Sequence, residues 1–294
     1  MGRLSVRELV RMVPRSVRER AKDTIRAGLT IGGGPRTLPD FLVIGTQRGG
    51  TTSLYSYLVR HPDVSGALLA KEVHYFDLGF DREQSWYRRF FPTEGARRRH
   101  LEATGRRLLV GEASPYYLFH PAVPERVAAT LPDVRLIVML RDPVERAFSH
   151  WRHEVELGCE TRSFEEAIAL EARRTAGEAE RLASSPTYQS FAHQHFTYVA
   201  RGEYADQLTR WFERFPRDRF LFIGSERFFA DPGGELARVH GFLGLAPSSL
   251  DRYEAFNASS GADLDPGVRR LLRDHFGPHN ERLFELLDFR FDWS

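Results

Sequence analysis

The chain of 294 residues holds one cysteine, Cys159. This excludes an intramolecular disulfide framework and any Cys-rich zinc site. Only two of its 42 basic residues are lysine, Lys22 and Lys71. Such an arginine excess is most simply a genomic bias, so most arginines need no functional explanation. A lysine that persists against it draws interest. No run approaches the roughly 18 apolar residues of a membrane span. With 41% hydrophobic and 28% charged residues, the composition is that of a soluble globular protein. A disordered chain, a collagen-like chain and a coiled coil are excluded.

Charge is unevenly spread. The net charge is +2, but residues 1–36 carry nine basic and three acidic residues, so they are +6 and the remainder is −4. A net-negative body argues against a nucleic-acid partner. Residues 1–30 lack the apolar core and cleavage site of a signal peptide. Ser5–Glu8 and Ser16–Glu19 both fit the capping box, Pro14 separates them, and Leu9, Val13, Val17, Ala21 and Ile25 form an apolar stripe. The segment is either an arm packed on the main domain or a basic amphipathic helix on an anionic membrane surface. The expected division is an arm over 1–36 and one domain over 37–294, in a cytoplasmic protein with peripheral membrane contact through residues 1–30 as the alternative. Nothing in the sequence fixes the oligomeric state.

From residue 40 the pattern is α/β. Continuous apolar runs predict strands at Phe41–Gly45, about 64–68, Leu108–Gly111, Val134–Leu140 and Phe220–Gly224. Amphipathic helices are predicted between them, at about 51–60, 121–131, 143–156, 163–175, 203–214 and 232–243. This alternation implies a parallel sheet with helices on both faces. Residues 176–200 are polar and are expected to form a long irregular loop or cap.

Gly45-Thr46-Gln47-Arg48-Gly49-Gly50-Thr51-Thr52 follows the first strand and opens a helix. Gly45 and Gly50 have the GxxxxG spacing of a P-loop, in which backbone N–H groups and a helix N-terminus face an oxyanion. A Walker A loop has Lys directly after the last Gly; here that residue is Thr51, and the cation is Arg48. A loop gripping a 5′-phosphate or sulfate without metal fits better than a nucleoside triphosphatase. A second anion site is expected after the fourth strand, where Arg141 ends the strand, Pro143 opens a helix and Ser149 lies two turns on. Together the two sites suit a nucleotide with phosphates at two separate places.

These elements resemble the donor-binding loops of sulfotransferases that use 3′-phosphoadenosine 5′-phosphosulfate (PAPS). Lys71-Glu72-Val73-His74-Tyr75-Phe76-Asp77 is similar to the catalytic segment of the heparan sulfate branch, the match continues in Glu112–Tyr117, and Asn280–Trp293 is similar to that branch's C-terminal helix and tail. The resemblance covers about residues 40–293 and suggests a bacterial member. It implies a P-loop-like α/β fold, PAPS as sulfuryl donor, 3′-phosphoadenosine 5′-phosphate (PAP) as product, and a hydroxyl or amine acceptor on a carbohydrate, glycolipid or small molecule. By the resemblance, Arg48, Gly49, Gly50, Thr51, Thr52 and Ser53 hold the 5′-phosphosulfate, and Arg141 and Ser149 hold the 3′-phosphate. Glu72 is the catalytic base, with His74 and Asp77 supporting it. The chain departs from the pattern in having Arg48 where the loop cation is usually lysine. It also has no basic residue in Asn257–Pro266, the nucleotide-covering segment.

The residues alone leave alternatives. Lys71 either reaches the bridging oxygen or acceptor, or is a solvated lysine. Glu72 is either the base, its pKa raised by burial, or a salt-bridge partner of Lys71. His74 orients Glu72, contacts the acceptor or merely packs. Arg201, in Arg201-Gly202-Glu203-Tyr204, either joins the donor site or is a solvated helix start. No His and carboxylate set shows metal spacing, so no metal is expected. The rival functions are a magnesium-dependent phosphotransferase, with Asp142 as its metal ligand, and a non-catalytic membrane-associated binding protein.

Overall fold

Five short runs of buried residues form the frame: β1 (Phe41–Gly45), β2 (Val64–Gly66), β3 (Leu109–Ala113), β4 (Arg135–Leu140) and β5 (Phe220–Gly224). In the computed structural model, which describes residues 34–68, 70–253 and 264–293, they pair as one parallel sheet in the order β2-β3-β1-β4-β5. Side chains alternate across a strand, so each strand serves two cores. Leu42, Ile44, Leu136 and Val138 point into one, and Phe41, Val43, Ile137 and Met139 into the other. A sheet covered on both faces explains why these strands read as unbroken apolar runs.

The helices follow in chain order: α1 (Thr51–Leu58), α2 (Tyr75–Leu78), α3 (Gln84–Arg88), α4 (Glu94–Thr104), α5 (Val123–Thr130), α6 (Pro143–Glu156) and α7 (Phe164–Thr175). After them come α8 (Glu178–Ser184), α9 (Phe191–His195), α10 (Tyr204–Phe212), α11 (Ser225–Ala230), α12 (Pro232–Leu243) and α13 (Pro266–Leu287). Local chemistry sets several ends. Asp142 caps α6 by accepting from the backbone of Val144 and Glu145, and Ser163 and Glu166 form a reciprocal capping box on α7.

The stretch 176–200, expected to be irregular, carries two short helices, α8 and α9, with non-helical residues between and after them, and the second strand stops at Gly66. Polar composition hid these helices, because only one or two residues of each turn inward; Leu182 and His193 are buried.

Residues 1–33 of the expected arm, and 257–263 of the segment expected to cover the nucleotide, lie outside the described residues. At the start of the described body, Arg36 donates to Phe91 O at 2.6 Å, and Arg88 donates to Arg36 O at 2.7 Å.

The strand order places a topological switch between β1 and β4. Chain connections leave these neighbours toward opposite sides, which opens a crevice at their C-terminal ends. Both anion loops of the sequence begin there. Among the described residues no helix is long and apolar enough to cross a membrane.

Candidate active site

The first loop leaves β1 and turns back over β4. Gly50 takes φ 92°, a left-handed conformation that only glycine adopts without strain, and caps α1. α1 then starts with no side-chain cap and no acidic residue in its first turn. Its N–H groups and dipole end thus suit an anion. Ser225, which opens α11, donates to Gly49 O at 2.6 Å and Leu140 O at 3.0 Å, tying the loop to β4. Sequence reasoning missed this brace; a serine directly after a buried strand was its only signal.

The two loops form one site. Arg48 Nε donates to Ser149 Oγ at 3.1 Å, and Arg141 donates to Arg48 O at 3.2 Å. Burial lowers the pKa of Arg48, offset in part by Glu156, and the neighbouring Arg141 and Arg152 lower it further. This convergence of guanidiniums matches a polyanionic ligand. Thr51 and Thr52 face the third cation: Lys71 Nζ lies 3.3 Å from Thr51 Oγ1 and 3.0 Å from Thr52 Oγ1. Lys71 is therefore no solvated lysine. Ser53, in the same turn, is buried.

Lys71 also meets Glu72 Oε1 at 2.9 Å, so the salt bridge exists inside the site. The other carboxylate oxygen of Glu72 lies 3.1 Å from His74 Nε2, and His74 Nδ1 lies 2.7 Å from Asp77 Oδ2. Asp77 is fully buried and also accepts from Leu78 N at 2.6 Å. The chain Lys71–Glu72–His74–Asp77 is continuous. His74 reaches both carboxylates because its own backbone is left-handed, φ 55°.

The electrostatics overturn one expectation. Burial acts to raise the pKa of Glu72, but the His74 hydrogen bond and the charges of Lys71 and His74 outweigh it and hold the group at about 2. His74 is opposed by burial, yet Asp77 and Glu72 push it up to about 10. Glu72 is a carboxylate between two cations, and His74 an imidazolium between two carboxylates.

A buried carboxylate supports this segment from below. Glu112 accepts from Tyr87 OH at 2.6 Å, Tyr117 OH at 3.0 Å, Ser114 Oγ at 2.8 Å and Val73 N at 3.2 Å. Burial nonetheless raises its pKa. Ser114 Oγ accepts from His74 N at 3.3 Å, and Tyr117 OH accepts from Tyr75 N at 2.9 Å. The signal for this role was a glutamate inside an otherwise apolar strand.

Arg201 is buried rather than solvated. It donates to Gln47 Oε1 in the first loop, and to His193 O at 2.9 Å and Gln194 O at 3.0 Å in α9. Its guanidinium lies over the Tyr116 and Phe119 rings. Burial lowers its pKa to about 10. These bonds make it a brace between the loop and the α9 cap. Tyr204, three residues on, donates to Arg141 O at 2.8 Å. Asp142, the candidate for a Walker-type metal ligand, caps α6 through Oδ1, which accepts from Val144 N at 2.8 Å and Glu145 N at 3.1 Å.

Residues 38–260 match the family model for the sulfotransferase domain. The chain belongs to the sulfotransferase family. It is 30% identical over 287 residues to heparan sulfate glucosamine 3-O-sulfotransferase 3B1 of Homo sapiens, covering 90% of this chain and 67% of that relative. To the human 3-O-sulfotransferase 6 it is 30% identical over 301 residues, covering 91% of this chain and 78% of the relative. Among solved structures, a sulfotransferase from Alicyclobacillus acidocaldarius shares 30% identity with a TM-score of 0.65, over 87% of this chain and 98% of that one. The P-loop-like parallel sheet is thus a sulfotransferase fold, and sulfotransferases of this family take their sulfuryl group from PAPS.

Proposed function

We propose that the chain transfers the sulfuryl group of PAPS to a hydroxyl on a carbohydrate, with Glu72 receiving the acceptor's proton. The observation that carries this reading is the geometry of Lys71. One ammonium touches the hydroxyls of the phosphate loop and the carboxylate of Glu72, so the donor end and the base meet at a single point. The glycan acceptor is inferred from the two human relatives, whose names specify heparan sulfate glucosamine.

The donor contributes the sulfuryl group and a bisphosphate leaving group. Gly49, Gly50, Thr51, Thr52 and Ser53 receive its 5′ end at the start of α1, with Arg48 and Lys71 neutralising charge that builds on the leaving oxygen. Arg141 and Ser149 take the 3′-phosphate. Arg201 positions the loop through Gln47.

A carboxylate with a pKa near 2 is a weak base toward a free alcohol. An alcohol oxygen becomes strongly acidic as its bond to sulfur forms. Proton transfer to Glu72 late in the reaction is then downhill, and no raised pKa is needed. Asp77 and His74 hold Glu72 through Oε2, and Oε1, beside Lys71, receives the proton.

A thermal-shift titration tests the donor site. PAP at 100 times its Kd should stabilise by about 2.7 kcal/mol, which raises Tm by several degrees. Stabilisation by ATP with magnesium and none by PAP would replace this reading with phosphotransfer. For the arm over residues 1–36, we propose contact with an anionic membrane surface. Full-length and 36–294 chains should differ in co-sedimentation with anionic vesicles; equal behaviour would refute it.

A further inference from the structure

No metal is expected from the sequence, but His275 and His279 stand four residues apart and the fold brings Glu203, the residue before α10, to them. Both histidines lie on α13, one turn apart, with ring centroids 5.0 Å apart and planes within 28° of parallel. Glu203 precedes α10, and its Oε1 lies 3.0 Å from His275 Nε2 and 3.9 Å from His279 Nε2. One ligand atom from each residue falls within 4.8 Å of the others. Ligand atoms on one tetrahedral zinc, with bonds of about 2.0–2.1 Å, stand about 3.3 Å apart. The observed separations straddle that value.

We propose that Glu203, His275 and His279 bind one divalent transition-metal ion, zinc foremost, which clips α10 to α13. Two imidazoles and one carboxylate suit zinc, nickel or copper rather than magnesium or calcium, which prefer an all-oxygen set. Packing preorganises the site. A Cβ on Gly202 would lie 2.8 Å from the Phe276 ring, so α13 sits directly on the backbone beside Glu203. Arg282 and Asp206 join the same helices at 2.6 Å. All three ligands remain partly exposed, so an ion enters without unfolding and the fourth position is open to water.

A second group, Glu154, Cys159 and His195, also has metal-like spacing. There Glu154 is buried and, besides His195 at 2.8 Å, faces a histidine outside the group, His150, at 3.2 Å. The positive charges of Arg48 and Arg201 also act on it, which disfavours a cation.

The test uses the full chain, freed of any histidine tag and stripped with a chelator, titrated with zinc chloride by calorimetry. The expected result is one equivalent bound in the micromolar range or tighter, with Tm raised by several degrees at saturation. His279→Ala and Glu203→Gln should each weaken binding at least roughly tenfold, by analogy with the loss from disturbing metal-ligand supports. Glu203→Gln keeps its shape and reports even if the alanine variant folds poorly. Cobalt(II) at one equivalent should give a spectrum without a thiolate charge-transfer band, unchanged in Cys159→Ser. Absence of binding, binding that survives both ligand variants, or a charge-transfer band lost with Cys159→Ser would each overturn the assignment.

Discussion

Asp77→Asn isolates the electrostatics of the site without changing its shape. The wild-type carboxylate is buried, meets His74 Nδ1 at 2.7 Å and accepts from Leu78 N at 2.6 Å. Asparagine keeps an oxygen for one of these bonds and loses the charge. Losing a charge-assisted hydrogen bond of this kind costs about 1.5–3 kcal/mol, or a fall in Tm of roughly 3–10 °C for a domain of this size. The pH dependence follows from the sign of the shift. The pKa of His74 is raised from an ordinary 6.5 to about 10, so its contribution to stability is complete below pH 6.5 and is lost as pH rises toward 10. Asp77 is the largest favourable cause of that shift. In the variant, Glu72 remains to hold the imidazolium, so His74 should titrate between these two values. At pH 8 to 9 a growing fraction of the variant carries neutral His74, while the wild type stays charged. The ring-proton NMR titration of His74 and the pH profile of kcat report this directly. An unchanged His74 titration, or a variant profile matching wild type up to pH 10, would refute the coupling of Asp77 to Glu72 through His74.

Other substitutions probe the remaining parts. Glu72→Gln should lower kcat by about 10²–10⁴-fold, the usual contribution of a general base, and leave PAP affinity within a few-fold by calorimetry. Arg48→Ala removes a cation shared by both loops. It should weaken PAP binding more than Ser149→Ala does, and calorimetry of the two variants would show the order. Glu112→Ala leaves Tyr87, Tyr117, Ser114 and the Val73 N–H facing a void. It should cost about 3–5 kcal/mol in urea denaturation, because several buried donors lose their acceptor at once.

Much of the fold was legible because its signals are local. The strand Phe41–Gly45 and the helix Pro143–Glu156 have the predicted bounds, since a buried parallel strand must be apolar throughout and a helix can announce its start with Asp-Pro. The helices α8 and α9 were not legible; each is short and buries one side chain, Leu182 or His193, and only α9 has a side-chain cap, Ser190. The candidate site divides in the same way. Arg48, Thr51 and Thr52 announced themselves through a glycine-bounded loop after a strand. The brace from Ser225, the buried setting of Arg201 and the four donors around Glu112 join residues remote in sequence, where no spacing can record them.

The pKa of Glu72 shows the same limit. Its neighbours Lys71 and His74 were visible in the sequence, but whether burial or their charges prevail depends on distances only the folded chain fixes. Alone, the sequence determined the α/β class, the glycine-bounded loop after the first strand and the Arg-Asp-Pro turn after the fourth, because backbone preference and side-chain chemistry are local properties. Tertiary structure decided the joining of Arg48 to Ser149, the lowered pKa of Glu72 and the raised pKa of His74, and the meeting of Glu203 with His275 and His279. These depend on packing across a sheet and between helices, and electrostatic energy varies with separations and burial that no stretch of sequence contains.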